Sequence, residues 1–416
     1  MELHTEVLVI GGGAVGVSTA YRLAKAGRQV TLVERSTIAS GSSQANAGLI
    51  VPSLIMPLAN PSALKKGLRW LLNPDSPFHI RPQLNPELLR WFLRFRHACQ
   101  PDQVVKGMGI LSSLTTRSMQ ILAEWIDQEQ IACHYERSGW LFVYRTDHGF
   151  AEGVKEARLL EDYGIASEVL DAEQAREMEG SVRAGIRGGI YFSGDAHLDP
   201  EMFVRGLAEC VKAYGGVIHT NNEVLKFEVD GDRIQAVHTS DFVAYPEAVV
   251  LAAGAWSPKL LRLLGMRTSL QPAKGYSITF SNQRGNPGLP LYLSEDKIAI
   301  TPLGERLRIS GILDFTGMDL RIDRRRLQTI LEAARQALDL RLNGDDVQEW
   351  CGLRPCTPDG LPIIGRSELY SNLIVATGHG MLGITLAPVT AELVFKIIEG
   401  DEVDVPLEAI SLERFG

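Results

Sequence analysis

The chain opens on a short apolar run, a glycine turn, an apolar stripe at helical spacing and a second apolar run, EVLVIGGGAVGVSTAYRLAKAGRQVTLVER. That order predicts a strand, a helix and a parallel strand, a βαβ unit. Two apolar and aromatic patches, ALKKGLRWLL and ELLRWFLRFRHAC, follow between proline-rich turns. Helices are expected over residues 107–131 and 152–164, on either side of a strand at 138–146. A strand-like GGIYFSGDAHLDP ends in Asp199-Pro200, a good start for the helix EMFVRGLAECVKAYGG. Alternating strands then lead to AVVLAAGAW, apolar on both faces as a covered parallel strand must be. Within residues 269–315, LQPAKGYSITF, KIAITPL and RLRISGIL predict antiparallel neighbours. RRRLQTILEAARQAL reads as a solvated helix, its cations beside an apolar stripe. Residues 372–400 close the chain with strand, glycine loop and helix, and Pro388 is expected near that helix's first turn, where a missing N–H is least costly. There is no internal repeat.

The first turn carries Gly11, Gly13 and Gly16 at G-x-G-x-x-G spacing: one for the tight turn, one for backbone approach to a pyrophosphate, one for helix-on-strand packing. Ala14 and Val15 then open a helix whose N-terminus faces the phosphates. Glu34, followed by Arg35, closes the second strand 23 residues after Gly11, where its carboxylate can accept both ribose hydroxyls. An adenosine dinucleotide without a 2′-phosphate is implied, and the unit alone leaves NAD and FAD open. In GSSQANAGLI the small or polar residues Ser42, Ser43, Asn46, Ala47, Gly48 and Leu49 suit a backbone pressed against a large flat ligand; a flexible loop is the other reading. Ala253 and Gly254, with Trp256, end a parallel strand where backbone can again approach a ligand. Gly378, Gly380, Met381, Leu382 and Gly383 form a second glycine loop with no Walker lysine and no βαβ continuation. A second nucleotide is not expected there. A helix N-terminus at that point suits the negative charge that a reduced flavin carries near N1 and its C2 carbonyl.

Composition adds bounds. A chain of 416 residues fits two domains, and 45% hydrophobic with 22% charged residues predicts that all of it folds. The formal charge of −8 argues against nucleic acid as a partner. Residues 61–100 run against that trend with seven Lys or Arg against Asp75 and Glu87. They form either a basic amphipathic face for an anionic membrane or a redox partner, or two ordinary surface helices. The five cysteines, at 99, 133, 210, 351 and 356, show no C-x-x-C spacing and are expected as reduced thiols. No histidine pair stands at i, i+4, so no metal is expected. No export signal and no apolar run of about 18 residues is present. Cytosol, or the cytosolic face of a membrane, is the expected location.

Taken in order, GGGAVG with Glu34, SSQANAG, VVLAAGAW, PAKGYSI, GLRPCTPDGLPIIG and ATGHGMLG resemble the D-amino-acid oxidase superfamily of FAD flavoproteins. Within it they are most similar to bacterial D-amino-acid dehydrogenases, including the D-proline and D-hydroxyproline type, over nearly the whole chain. The resemblance implies noncovalent FAD in a p-hydroxybenzoate-hydroxylase-like α/β architecture. An interrupted Rossmann-like FAD-binding domain (1–85, 198–264, 350–416) would carry a mixed, largely antiparallel substrate domain (86–197, 265–349) over the flavin. Val224 joins the expected cofactor contacts.

The resemblance also gives Arg354 a role: its guanidinium would clamp the carboxylate of an amino or imino acid with two parallel hydrogen bonds, aiming Cα–H at flavin N5. Tyr276 would assist the carboxylate or line the pocket. His379 would donate to flavin or line the cavity, or be satisfied by backbone, and His197 would be structural. No dedicated catalytic base is expected. Relatives that oxidise N-methylglycine attach flavin to a cysteine near a similar segment; Cys351 and Cys356 lie close by but are expected as buried structural thiols. A quinone-type acceptor is implied. The alternatives are an oxidase using oxygen, of amino-acid or N-methylglycine type, and an electron-relay subunit with no substrate of its own.

Overall fold

The computed structural model describes residues 2–61, 76–81, 85–281, 286–340, 342 and 346–415. The patch at 63–72 therefore lies outside the described residues. The predicted βαβ unit forms as strand Glu2–Ile10, helix Ala14–Lys25 and strand Val30–Val33, with Val9 opposite Leu32 in parallel register. It is the centre of the first sheet. Strand Val243–Leu251 lies parallel on the other side of Glu2–Ile10, and Val217–His219 continues beyond Val30–Val33. The opposite edge is antiparallel, through Arg233–Thr239 and Val224–Asp230. The last residues of Val243–Leu251 pair instead with Leu373–Thr377, to which Ile363–Arg366 adds antiparallel. Val30–Val33 and Leu373–Thr377 are buried at every position, which accounts for their unbroken apolar runs. Val7 and Val9 point toward a core shared with helices Ala14–Lys25, Pro200–Ala213 and Gly383–Glu399; Leu8 and Ile10 point toward a second cluster with Leu260 and Leu261.

The second sheet runs Val347–Cys356, Gln271–Phe280, Arg306–Phe315, Ile298–Leu303, Leu291–Leu293, Trp140–Tyr144, Gly188–Phe192 and Glu168–Asp171. Its pairings are antiparallel except where Leu291–Leu293 meets Trp140–Tyr144 and where Phe78–Ile80 joins the end of Arg306–Phe315. Phe78–Ile80 pairs with this sheet, and Val347–Cys356 is its edge strand. Ten-residue pairing with Gln271–Phe280 holds the latter, a constraint that no local pattern announces.

Two helices also differ from expectation. Helix Arg324–Ala337 is not solvated throughout, because Arg326 is 4% exposed and pairs with the equally enclosed Asp314, with Nε donating to Oδ2 at 3.1 Å. Helix Gly383–Glu399 carries Pro388 inside rather than in its first turn. Beside that break in the ladder, Ser118 Oγ accepts from the N–H of Val389 at 3.1 Å. Ser118 belongs to Pro101–Glu129, so this long helix packs on Gly383–Glu399.

Breaking a buried ion pair leaves an uncompensated charge, whereas replacing both partners does not. Asp314→Ala should therefore destabilise the protein by about 3–5 kcal/mol. Asp314→Leu combined with Arg326→Met should recover most of it, as read by thermal unfolding.

Candidate active site

A cavity of about 360 Å³ runs between the carboxyl edge of the first sheet and one face of the second. At one end stands the glycine turn. Gly11 has φ +122°, and a Cβ there would lie 2.5 Å from the carbonyl oxygen of Ala252, so only glycine lets turn and strand end approach. Gly13, Ala14 and Val15 line the wall, and the Ala14 N–H donates to Ser43 Oγ at 2.9 Å. The Glu34 carboxylate accepts from the N–H of Gly12 at 2.7 Å and of Ser36 at 2.9 Å. A carboxylate has about four lone-pair sites, so two ribose hydroxyls can still donate. Arg35 stacks on Trp256 at 4.1 Å; both line this end with Val224, Ala253 and Gly254.

The 41–50 segment crosses the middle, fastened to the second sheet by three bonds. Ser42 Oγ donates to Leu353 O at 2.5 Å, Ser277 Oγ to Ala45 O at 2.8 Å, and Arg308 Nη1 to Asn46 O at 2.9 Å. Ser42, Ser43, Asn46 and Ala47 line the cavity. The Asn46 side chain is engaged within its own loop, donating to Ser42 O and accepting from Gly48 N–H. A carboxylate with lone pairs to spare, a helix N-terminus and a long wall of small residues fit an adenine dinucleotide with a broad ring system.

At the far end Arg354 lines the cavity, its Nη1 donating to Ile312 O at 2.9 Å. Burial holds its pKa below the usual guanidinium value, and among the described residues no carboxylate pairs with it. Tyr276 is buried, which drives its phenol above the ordinary range, and its hydroxyl makes no hydrogen bond among the described residues. His379 is buried too, its Nε2 sharing a hydrogen bond with Thr390 Oγ1 at 2.9 Å and its pKa pushed down to about 3 by desolvation. It stays neutral in the working range. Gly380, Met381 and Gly383 line the cavity beside it.

Five expected contacts do not face the cavity. Gly16 lies under the turn, where a Cβ would stand 1.9 Å from Gly11 O. Gly48, at φ +70°, passes Leu198 O, with only 2.2 Å available to a Cβ, while Leu49 pairs with His197 in a two-stranded ribbon. Gly378 turns against Thr357, and the Leu382 N–H donates to His379 O at 2.9 Å at the start of the closing helix. These residues shape the wall from behind. Conversely Asn222, Lys259, Gly275, Ser310, Trp350 and Gly352 line it without having been singled out. For Gly275 a signal existed, since an isolated glycine within a strand marks a bulge or a close approach.

A dinucleotide end joined to a half-buried arginine with no carboxylate partner among the described residues fits an enzyme that binds a nucleotide cofactor. Comparison with known proteins gives the family. Residues 6–397 match the family described as FAD dependent oxidoreductase (DAO), and the chain belongs to it. The cofactor is therefore FAD. The D-amino acid dehydrogenase of Methylobacterium radiotolerans is 33% identical over 419 residues, covering 98% of this chain and 99% of its own. That of Dechloromonas aromatica is 35% identical over 410 residues, covering 95% and 97%. Among solved structures, glycine oxidase from Bacillus cereus ATCC 14579 has a TM-score of 0.76 at 23% identity over 99% of both chains. L-proline dehydrogenase from P. horikoshii has 0.76 at 22%, over 100% of this chain and 98% of its own. These two likenesses show the shared fold.

Glu34→Ala should weaken FAD binding by roughly 10–100-fold, the loss of one or two hydrogen bonds to a charged group. Flavin fluorescence titration of the apoprotein measures it.

Proposed function

We propose that the enzyme oxidises D-amino acids or cyclic D-imino acids such as D-proline and hydroxy-D-proline at the Cα–N bond, passing electrons to a quinone-type acceptor rather than chiefly to oxygen. The observation that carries this reading is Arg354, a half-buried guanidinium that no carboxylate pairs with among the described residues, in the same cavity as the dinucleotide end. The names of the relatives support the substrate class and, at 33–35% identity, the D configuration.

FAD, when bound, supplies the acceptor for the hydride that leaves Cα. The chain's residues bind and orient. Arg354 grips the carboxylate through its unengaged N–H groups, which fixes direction as well as affinity. Tyr276, kept protonated by burial, offers its hydroxyl to the same carboxylate. His379, neutral and tied to Thr390, holds the 378–383 loop in place. The substrate amine must be neutral for the transfer, so no side chain has to act as base. Noncovalent flavin is favoured because burial raises the Cys356 thiol to about 12, and Cys351 Sγ, also raised, donates to Leu320 O at 3.0 Å. Both thiols stay protonated and are poor nucleophiles.

The helix Pro86–Ala98 exposes Leu89 (63%) and Leu93 (60%) beside Arg90 and Arg96. This pattern supports a cytoplasmic enzyme that touches the inner face of the cell membrane or a redox partner through its basic segment. Among the described residues no helix is long and apolar enough to cross a membrane.

Anaerobic mixing with D-proline, D-alanine and their L forms should bleach the flavin with the D forms first. Bleaching by none of them, nor by sarcosine, would identify an electron-relay subunit instead. Arg354→Met should lower kcat/KM by roughly 10²–10⁴-fold, the equivalent of two charge-assisted hydrogen bonds. With His379 at about 3 and Tyr276 above its ordinary range, neither changes charge between about pH 5 and 9. The acid limb of kcat/KM should therefore rise with pH toward the substrate's own amine pKa, and should shift when a substrate of different amine pKa is used.

A further inference from the structure

The wall behind Arg354 contains an irregularity that the proposed reaction does not by itself require. Strand Arg306–Phe315 pairs with Gln271–Phe280 in regular steps until Tyr276, opposite Gly311; the next pair is Lys274 with Asp314. Two residues, Ile312 and Leu313, therefore stand against the single Gly275, which is a β-bulge. Ile312 sits at φ +69°, a conformation that a β-branched residue adopts only when its surroundings force it. The strand also changes partners at this point. Up to Gly311 it pairs with Ile298–Leu303, and from Leu313 with Phe78–Ile80, where the Leu313 N–H donates to Pro77 O at 2.9 Å. The Ile312 carbonyl accepts from Arg354 Nη1 at 2.9 Å.

Gly275 completes the arrangement from the neighbouring strand. A Cβ there would lie 2.0 Å from Arg354 Nη1, 2.5 Å from Cζ and 2.6 Å from Nη2. The end of the guanidinium thus occupies space that the side chain of any other residue here would fill.

We propose that Gly275 and Ile312 are positioning residues for Arg354: the missing side chain leaves the space the guanidinium occupies, and the bulged carbonyl holds one of its nitrogens so that the remaining N–H groups face the substrate carboxylate. This rests on the carboxylate-binding reading of Arg354. A guanidinium binds a carboxylate side by side only when the two planes align, so a seat that fixes the plane converts charge attraction into orientation. The strain at Ile312 is the counterpart of that fixed geometry.

The test compares D-proline with pyrrolidine-2-carboxamide, the same ring without the negative charge, in the FAD-loaded enzyme. The wild type should prefer the acid by at least 30-fold in kcat/KM. In Gly275→Ala the preference should collapse to within about 3-fold, with KM for the acid rising more than kcat falls, while flavin content and the amide's turnover hold. Arg354→Ala should lose the same preference, and adding Gly275→Ala to it should change neither kinetics nor thermal stability further, because the clash no longer exists. Should Gly275→Ala alone fail to fold, folding of the double variant would still support the seat, and its failure would overturn it. A Gly275→Ala enzyme that keeps its preference, or loses acid and amide equally, also overturns it. Absence of preference in the wild type refutes the carboxylate reading itself.

Discussion

A cation taken wholly or partly out of water must be answered by an anion or by well-placed dipoles, and three guanidinium groups here receive three different answers. Arg326 meets Asp314 inside the protein and fastens helix Arg324–Ala337 to the second sheet. Arg308 spans Thr279 Oγ1 and the Asn46 carbonyl, tying the small-residue loop to that same sheet. Arg354 alone of these three faces the cavity, with one carbonyl for company. Its depressed pKa expresses the cost of that position, which the carboxylate of the proposed substrate would relieve.

The sheets exist to put that charge opposite the dinucleotide end. Leu353, one residue before the arginine, accepts the hydroxyl of Ser42 from the loop that lines the middle of the cavity. The strand bearing the proposed clamp and the loop expected to lie along the flavin are thus directly bonded. Displacement of either is felt by the other, which favours a rigid relation between substrate anchor and cofactor over a hinged one.

The first βαβ unit was legible because most of its chemistry is local: the buried parallel strands and the bonds of Glu34 to Gly12 and Ser36 lie within it, although Gly11 also clears the distant Ala252 carbonyl. Arg354 stood out as a charge in an apolar stretch, although its partner could not be seen. What escaped was set by long-range pairing. Nothing within Phe78–Ile80 says that it joins Arg306–Phe315 more than two hundred residues later, and nothing around Val347–Cys356 says that it is an edge strand of the second sheet. Glycines were legible as glycines but not by purpose. Gly16, Gly48 and Gly378 serve backbone against backbone or side chain, whereas Gly275 makes room for the guanidinium. The two uses look alike in one dimension, because each is defined by what approaches from elsewhere.

Three ionisable groups beside Arg354 share one property. Desolvation holds His379 neutral, keeps the Tyr276 phenol protonated and keeps the Cys351 thiol from ionising, and each is moved away from neutral pH. An acid–base site would instead bring such groups toward the working pH. In the proposed reaction this suits a transfer in which the pair of electrons leaves carbon as hydride. The substrate nitrogen then supplies the electrons that form the new C=N bond, and its proton is lost to water before the step. The wall needs to hold a fixed charge over a fixed geometry. A group titrating near neutrality would make the strength of that hold depend on pH.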